Sequence, residues 1–216
     1  MKLRKPQMPT QYKNLYEFED SIRHAHLFEE DICGKCIEDI YLENILITKL
    51  SFHKCIFKNC RFYQCTFDYS SFTDIQFNHC DFSNSSFKNS YFNRCDIQTS
   101  KWIGSNFTNG RFHHITISGC NYQLTNLNQS GLSCVILTES DFRYSSLSEC
   151  RLKEVVFNFT DFTKGEFYKT PLKGIDLTSC QIGGILLSDQ LFELKGAVMN
   201  IFQASEIAKT LGIIIK

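Results

Sequence analysis

Three groups of residues in this chain have types and spacings that chemistry could use. Cys33-Gly34-Lys35-Cys36 is a C-x-x-C pair with His24 and His26 close by in sequence, the ingredients of a Cys2His2 zinc site. A structural zinc takes four ligands, and no second cysteine pair of this spacing exists. Two ordinary thiols is the simpler reading, with metal or redox chemistry as the alternatives. His113-His114 has the composition of a general-base or metal pair. Neighbours on an extended segment point to opposite sides, however, and no carboxylate is evidently converged on them, which favours solvated side chains. Asp81, Asp141 and Asp161 are separated by multiples of twenty residues. No nucleophile–base pair, glycine-rich phosphate loop or dinucleotide motif is present. The sequence predicts a protein that is not an enzyme, with no catalytic residue, no cofactor, no metal and no small-molecule substrate.

The elements that position these residues follow a five-residue beat. Phe52, Phe57, Phe62, Phe67, Phe72, Phe77, Phe82, Phe87 and Phe92 fall at every fifth position. Neither a helix, with period 3.6, nor an ordinary strand, with period 2, sends one side chain inward at that interval. A square coil does, with five residues per side and four sides per turn. The same register runs from Leu27, Ile32, Ile37, Leu42 and Ile47 through Ile97, Trp102, Phe107, Phe112, Ile117 and Tyr122 to Leu187 and Phe192. At twenty residues per turn this is slightly over eight coils, a rod of roughly 40 Å at ~4.8 Å per coil. Glu17 breaks the register, so residues 1–26 form an N-terminal tail or cap, either a short helix or irregular. Residues 27–195 form the coil and 196–216 a terminal unit.

Residues twenty apart share a face, so Asp81, Asp141 and Asp161 form a partial acidic column interrupted by Lys101 and Asn121, a candidate partner-binding strip. An adjacent face carries Lys54, Arg94, Arg111, Arg151, Lys153 and Lys173. Eight of the eleven cysteines, Cys55, Cys60, Cys65, Cys80, Cys95, Cys120, Cys150 and Cys180, lie two residues before an axial position, in the slot that Ser70, Ser85 and Ser90 also fill. Free cysteine behaves as a small buried hydrophobe, so these read as core filler.

Lys plus Arg and Asp plus Glu each number 23. A net charge of zero gives no push toward nucleic acid or an anionic membrane, and no direct nucleic-acid binding is expected. The opening MKLRKPQMPTQYK lacks the apolar stretch of a secretory signal, and no run approaches the ~20 apolar residues of a membrane span. A soluble, cytoplasmic protein is the expectation.

Beyond Gly196 the period changes. Met199, Phe202, Ile207 and Leu211 lie on one helical stripe, Gly212 supplies a stop, and Ile213-Ile214-Ile215 reads as a short strand. An open solenoid end needs a cap, and one this apolar suits burial in a symmetric homodimer through Met199, Phe202, Ile207, Leu211 and Ile213.

Cys80-Asp81-Phe82-Ser83-Asn84, Ser105-Asn106-Phe107-Thr108-Asn109, Ser140-Asp141-Phe142-Arg143-Tyr144 and Thr160-Asp161-Phe162-Thr163-Lys164 resemble the pentapeptide-repeat signature. That resemblance implies an all-β fold, a right-handed quadrilateral β-helix. Gln203-Ala204-Ser205, then Leu211-Gly212-Ile213 after five residues, resembles the C-terminal dimerisation segment of the Qnr quinolone-resistance proteins. Gly174-Ile175-Asp176-Leu177 and Lys101-Trp102-Ile103-Gly104 look like other parts of the same family. The resemblance implies binding to DNA gyrase and topoisomerase IV and their protection from quinolones. Qnr rods are described as acidic DNA mimics, whereas this rod is close to neutral, and its unbroken register leaves no room for the projecting loops of many Qnr proteins. Two other readings fit the same rod: an adaptor for an unrelated protein, or immunity to a gyrase-targeting peptide toxin.

Overall fold

A computed structural model of the chain describes residues 2–215; Met1 and Lys216, the outermost residues of the two flanking segments, lie outside the described residues. The five-residue beat folds as a four-sided parallel β-solenoid of about seven turns with a helix at each end. Phe52 pairs with Phe72, Phe72 with Phe92, Phe92 with Phe112, and Phe112 with Leu132. Two adjacent sides are straight, because the strands Ser71–Asn78, Tyr91–Gln98, Arg111–Ser118, Gly131–Thr138 and Arg151–Asn158 each cover both. The other two sides are tight turns, closed by Ser85 N–H on the Phe82 carbonyl at 3.1 Å and Ser90 N–H on the Phe87 carbonyl at 3.3 Å.

Each bend is made by the residue two places after the axial side chain, which adopts a positive φ: 51° at Lys54, 61° at Tyr69, 58° at Asn84, 56° at His114. Asn84, Asn89, Asn109 and Gly104 suit that conformation, and most other side chains resist it. The inter-coil ladder holds the unsuited ones in place. Lys54 N–H donates to the Thr73 carbonyl and Tyr69 N–H to the Lys88 carbonyl, both at 2.9 Å.

The axis is filled with aromatic rings. Phe67 and Phe87 stack at 4.8 Å between centroids with planes 1° apart, and Phe82 lies 4.3 Å from Trp102. Such pairs add ~0.5–1.5 kcal/mol to area burial. The small slot beside them does more than fill space. Ser85 Oγ donates to the Phe62 carbonyl at 2.6 Å and accepts from Cys65 N–H at 3.0 Å. Cys95 Sγ reaches the Phe72 carbonyl at 3.3 Å. Many slot residues therefore link two coils, while others, such as Thr125 and Ser145, bond a carbonyl of their own coil; Ser, Thr and Cys can all make such bonds from this position. All eleven cysteines are free.

The ends depart from the periodic expectation. The axial series begins at Ile32, not Leu27: helix α1, Phe18–Phe28, occupies that stretch, and Leu27 on its outer side is 75% exposed. Phe18, Ile22 and Ala25 are buried, and Phe18 sits 5.4 Å from Phe62 and 6.3 Å from Phe57, closing the first open coil. Before the helix the chain runs lengthwise along one corner of the rod. Arg4 N–H donates to His114 Nδ1 at 3.4 Å, Gln7 N–H to Asp74 Oδ1 at 2.8 Å, and Lys13 N–H to the Gly34 carbonyl at 3.3 Å.

At the far end Phe192 leaves the axis for a single 3-10 turn and is 43% exposed. Its neighbour Glu193 turns inward instead, accepting from Lys169 N–H at 2.8 Å and from Ser188 Oγ at 2.8 Å. Burial opposes ionisation of that carboxyl, but these donors outweigh it and lower its pKa. Helix α2, Ile201–Thr210, follows. Residues 213–215 form no strand: Ile213 N–H turns back to the Ala208 carbonyl at 3.2 Å, and all three side chains are exposed. Among the described residues no helix is long and apolar enough to cross a membrane.

Candidate functional site on the rod faces and the cap

The acidic column exists as stacked bridges from Arg61 through Asp81, Lys101, Asn121 and Asp141 to Asp161. Its carboxylates are occupied by the rod itself. Asp81 Oδ1 accepts from Ser83 N–H at 3.0 Å and from Ser83 Oγ at 2.5 Å, and Asp161 Oδ1 accepts from Thr163 N–H at 2.8 Å. Asn106 does the same for Thr108, so the acid or amide before each axial residue closes a local turn. Arg143 lies across two members, 2.7 Å from Asp141 Oδ2 and 3.8 Å from Asp161 Oδ2. Partial burial raises the Asp141 pKa, and the Arg143 guanidinium, Arg143 N–H and Gln123 overcome this and bring it down. The strip offers carboxylates engaged in local turns, with Arg143 paired to Asp141 and near Asp161, rather than a free acidic surface.

The basic face is also partly self-paired. Arg94 forms a two-pronged ion pair with Asp74, at 2.6 and 2.7 Å. Arg111, Arg151 and Lys153 line an open groove of about 810 Å³ with Tyr91, His113 and Gly131. Tyr69, Tyr144 and Tyr168 point outward as their register requires, and Lys164 Nζ lies 5.4 Å from the Tyr144 ring centre.

The C-terminal stripe divides in two. Asn200 and Gln203 cap α2 reciprocally: Asn200 Oδ1 accepts from Gln203 N–H at 3.0 Å, and Asn200 N–H donates to Gln203 Oε1 at 2.9 Å. The Gln203 amide then donates to the carbonyls of Leu177 at 2.7 Å and Cys180 at 2.8 Å. Ile207 is buried against the rod with Gln203, and Met199 is half-buried. Phe202 is 79% exposed, and Leu211 and Ile213 lie on the surface with Ile201 and Ile214. Of the predicted interface, Met199 and Ile207 hold the cap to its own rod, while Phe202, Leu211 and Ile213 remain outward. Gln203 was visible as a motif letter, but its two carbonyl partners were not.

Cys33 is exposed and Cys36 half-buried, while His24 lies toward Glu30, 3.6 Å away, on α1. The structure does not gather these four into a site. It does gather His113 and His114, whose ring centres are 4.1 Å apart. The alternation expected of an extended segment fails here because His114 is a bend residue with φ 56°. Cys134 joins them one coil on.

The family profile for the pentapeptide repeat region matches residues 45–122, and the profile for pentapeptide repeats in eight copies matches residues 140–178. Together they span more than half of the chain. It belongs to the pentapeptide-repeat family. Solved structures of other pentapeptide-repeat proteins are similar to it. Trypsin-treated QnrB1, a plasmid-mediated fluoroquinolone resistance protein, is 21% identical over 87% of this chain and 92% of its own, with a TM-score of 0.42. Full-length QnrB1 is 19% identical over 82% of this chain and 100% of its own, at 0.32. HetL, a pentapeptide repeat protein involved in heterocyst differentiation regulation from the cyanobacterium Nostoc, is 16% identical over 87% and 93%, at 0.27. No curated protein sequence matches this pentapeptide-repeat chain.

Proposed function

We propose that this pentapeptide-repeat protein is a Qnr-like homodimer that binds DNA gyrase or topoisomerase IV and protects it from quinolones or a related poison. The observation that carries the reading is the cap. Gln203, the first residue of the segment that resembles the Qnr dimerisation unit, fastens α2 to the last coil, and Phe202, Leu211 and Ile213 are left facing outward. A second copy is the natural cover for an apolar patch at the end of a rod. The rod acts by shape and mixed charge rather than as an acidic imitation of DNA, because Asp81, Asp141 and Asp161 are engaged in its own turns. It has no enzymatic step, its partner is a protein rather than nucleic acid or a small molecule, and its place is the cytoplasm, where that partner works.

The purified protein is expected to restore supercoiling by gyrase inhibited with ciprofloxacin. No rescue over a wide dose range, with gyrases from several bacteria, would defeat the proposal. The neutral surface favours a second reading, an adaptor rod for an unrelated protein. Affinity capture from bacterial lysate separates the two, since the first requires topoisomerase subunits among the retained proteins.

A further inference from the structure

We propose that His113, His114 and Cys134, with Glu154 as the fourth group, form a binding site for a divalent transition metal of the zinc class. The donor atoms of the first three lie within 4.8 Å of one another. Tetrahedral zinc with bonds of ~2.0–2.3 Å holds its ligands ~3.5 Å apart, so closure requires each side chain to move by a fraction of that difference. The backbone prepares the arrangement. His114, Cys134 and Glu154 are bend residues in successive coils, with φ of 56°, 55° and 52°, so they stack in one corner column. The left-handed turn at His114 also swings its ring alongside that of His113. Cys134 is the one cysteine of the eleven at a bend; eight others serve the inter-coil slot.

The chemistry of the donor set is that of zinc. Two imidazoles, a thiolate and a carboxylate are the ligand types that zinc accepts together. His114 and Cys134 are both buried. The Glu154 carboxylate lies 3.3 Å from Cys134 Sγ. Metal binding displaces the Cys134 thiol proton to solvent, and the Glu154 carboxylate stays ionised and free to ligate. The guanidinium groups of Arg4 and Arg94 oppose a cation here as they oppose imidazolium. Arg94 is already neutralised by Asp74, and the thiolate and Glu154 together match the charge of the ion.

A neutral imidazole has one ring lone pair, and in His114 it accepts Arg4 N–H. A metal on His114 takes that lone pair, so Arg4 must release.

Titration of the full chain with Co²⁺ as a spectroscopic probe, and with Zn²⁺ by calorimetry, tests the site. One ion per chain and a thiolate-to-cobalt charge-transfer band are expected. Cys134→Ser should abolish the band, and Cys33→Ser with Cys36→Ser should leave it intact. His114→Asn, which retains a residue suited to the left-handed bend, should weaken zinc binding by ~10-fold or more. Absence of the band in the wild type at excess cobalt overturns the proposal. So does a band that survives Cys134→Ser or disappears with the Cys33 and Cys36 pair.

Discussion

Gln203 donates its side-chain amide to the Leu177 carbonyl at 2.7 Å, and the same nitrogen reaches Cys180 at 2.8 Å. A solenoid ends with carbonyls that no next coil can donate to, and one glutamine on a capping helix supplies the Cys180 carbonyl with its donor and the Leu177 carbonyl with a second one beside Cys180 N–H. Gln203→Ala leaves the Cys180 carbonyl under a helix without a partner and the Leu177 carbonyl with Cys180 N–H alone, a loss of ~1–3 kcal/mol. Urea unfolding should show it, together with faster amide exchange in α2. A change below ~0.5 kcal/mol would mean that water replaces the amide freely.

The outward half of the same cap should carry self-association. Phe202→Asp with Leu211→Asp alters two exposed side chains, so the fold should persist while light scattering reports a monomer. Ile207→Asp places a charge at a buried position and should loosen the cap itself. A monomeric wild type would refute the interface.

The axial rings set the stability of the rod. Phe72 is fully buried, stacked on Phe92 at 4.7 Å and on Phe52 at 5.2 Å. Phe72→Ala should cost ~3–5 kcal/mol, read from chemical denaturation. Less than ~1 kcal/mol would show that the neighbouring coils collapse around the gap.

Asp74 makes part of that stability depend on pH. Burial raises its pKa, but Arg94 and the Gln7 N–H outweigh burial and bring it below the ordinary 3.8. A lowered carboxylate contributes stability that is complete above the unfolded value and is lost as pH falls through the folded one. The melting temperature should therefore drop on acidification below about pH 4, and Asp74→Asn should make that drop shallower. Asn also suits the φ of 58° at this bend, so the substitution adds no backbone strain. An unchanged acid limb in Asp74→Asn would assign the effect to other groups, Glu193 first among them.

The coil was legible because its period is unlike that of any other regular structure, and Phe52 to Phe92 repeat it without a break. Leu27 and Phe192 fitted the same period by coincidence: each belongs to an end, where helix α1 or the Phe192–Leu194 turn replaces the coil. Sequence spacing could stack Asp81, Asp141 and Asp161 but could not reveal that their oxygens close local turns, because that depends on side-chain direction. His113 and His114 were misread for a related reason. The rule of alternation assumes extended backbone, and nothing in the residue type of His114 signals a left-handed bend. The lengthwise run of residues 4–13 has no periodicity to read, since its partners, His114, Asp74 and Gly34, are scattered through the chain.

The pairing of every residue with one twenty places on makes the length of this molecule a counted quantity. Duplicating twenty residues would lengthen it by ~4.8 Å and leave the orientation of everything downstream untouched. Inserting five would keep the rings inward yet rotate the far end by a quarter circle, carrying the Phe202 surface to a new azimuth. An insertion that is not a multiple of five would put the wrong residue on the axis from that point onward unless it bulged out as a loop. Reach and facing can thus be reset separately, in whole steps, by copying errors alone.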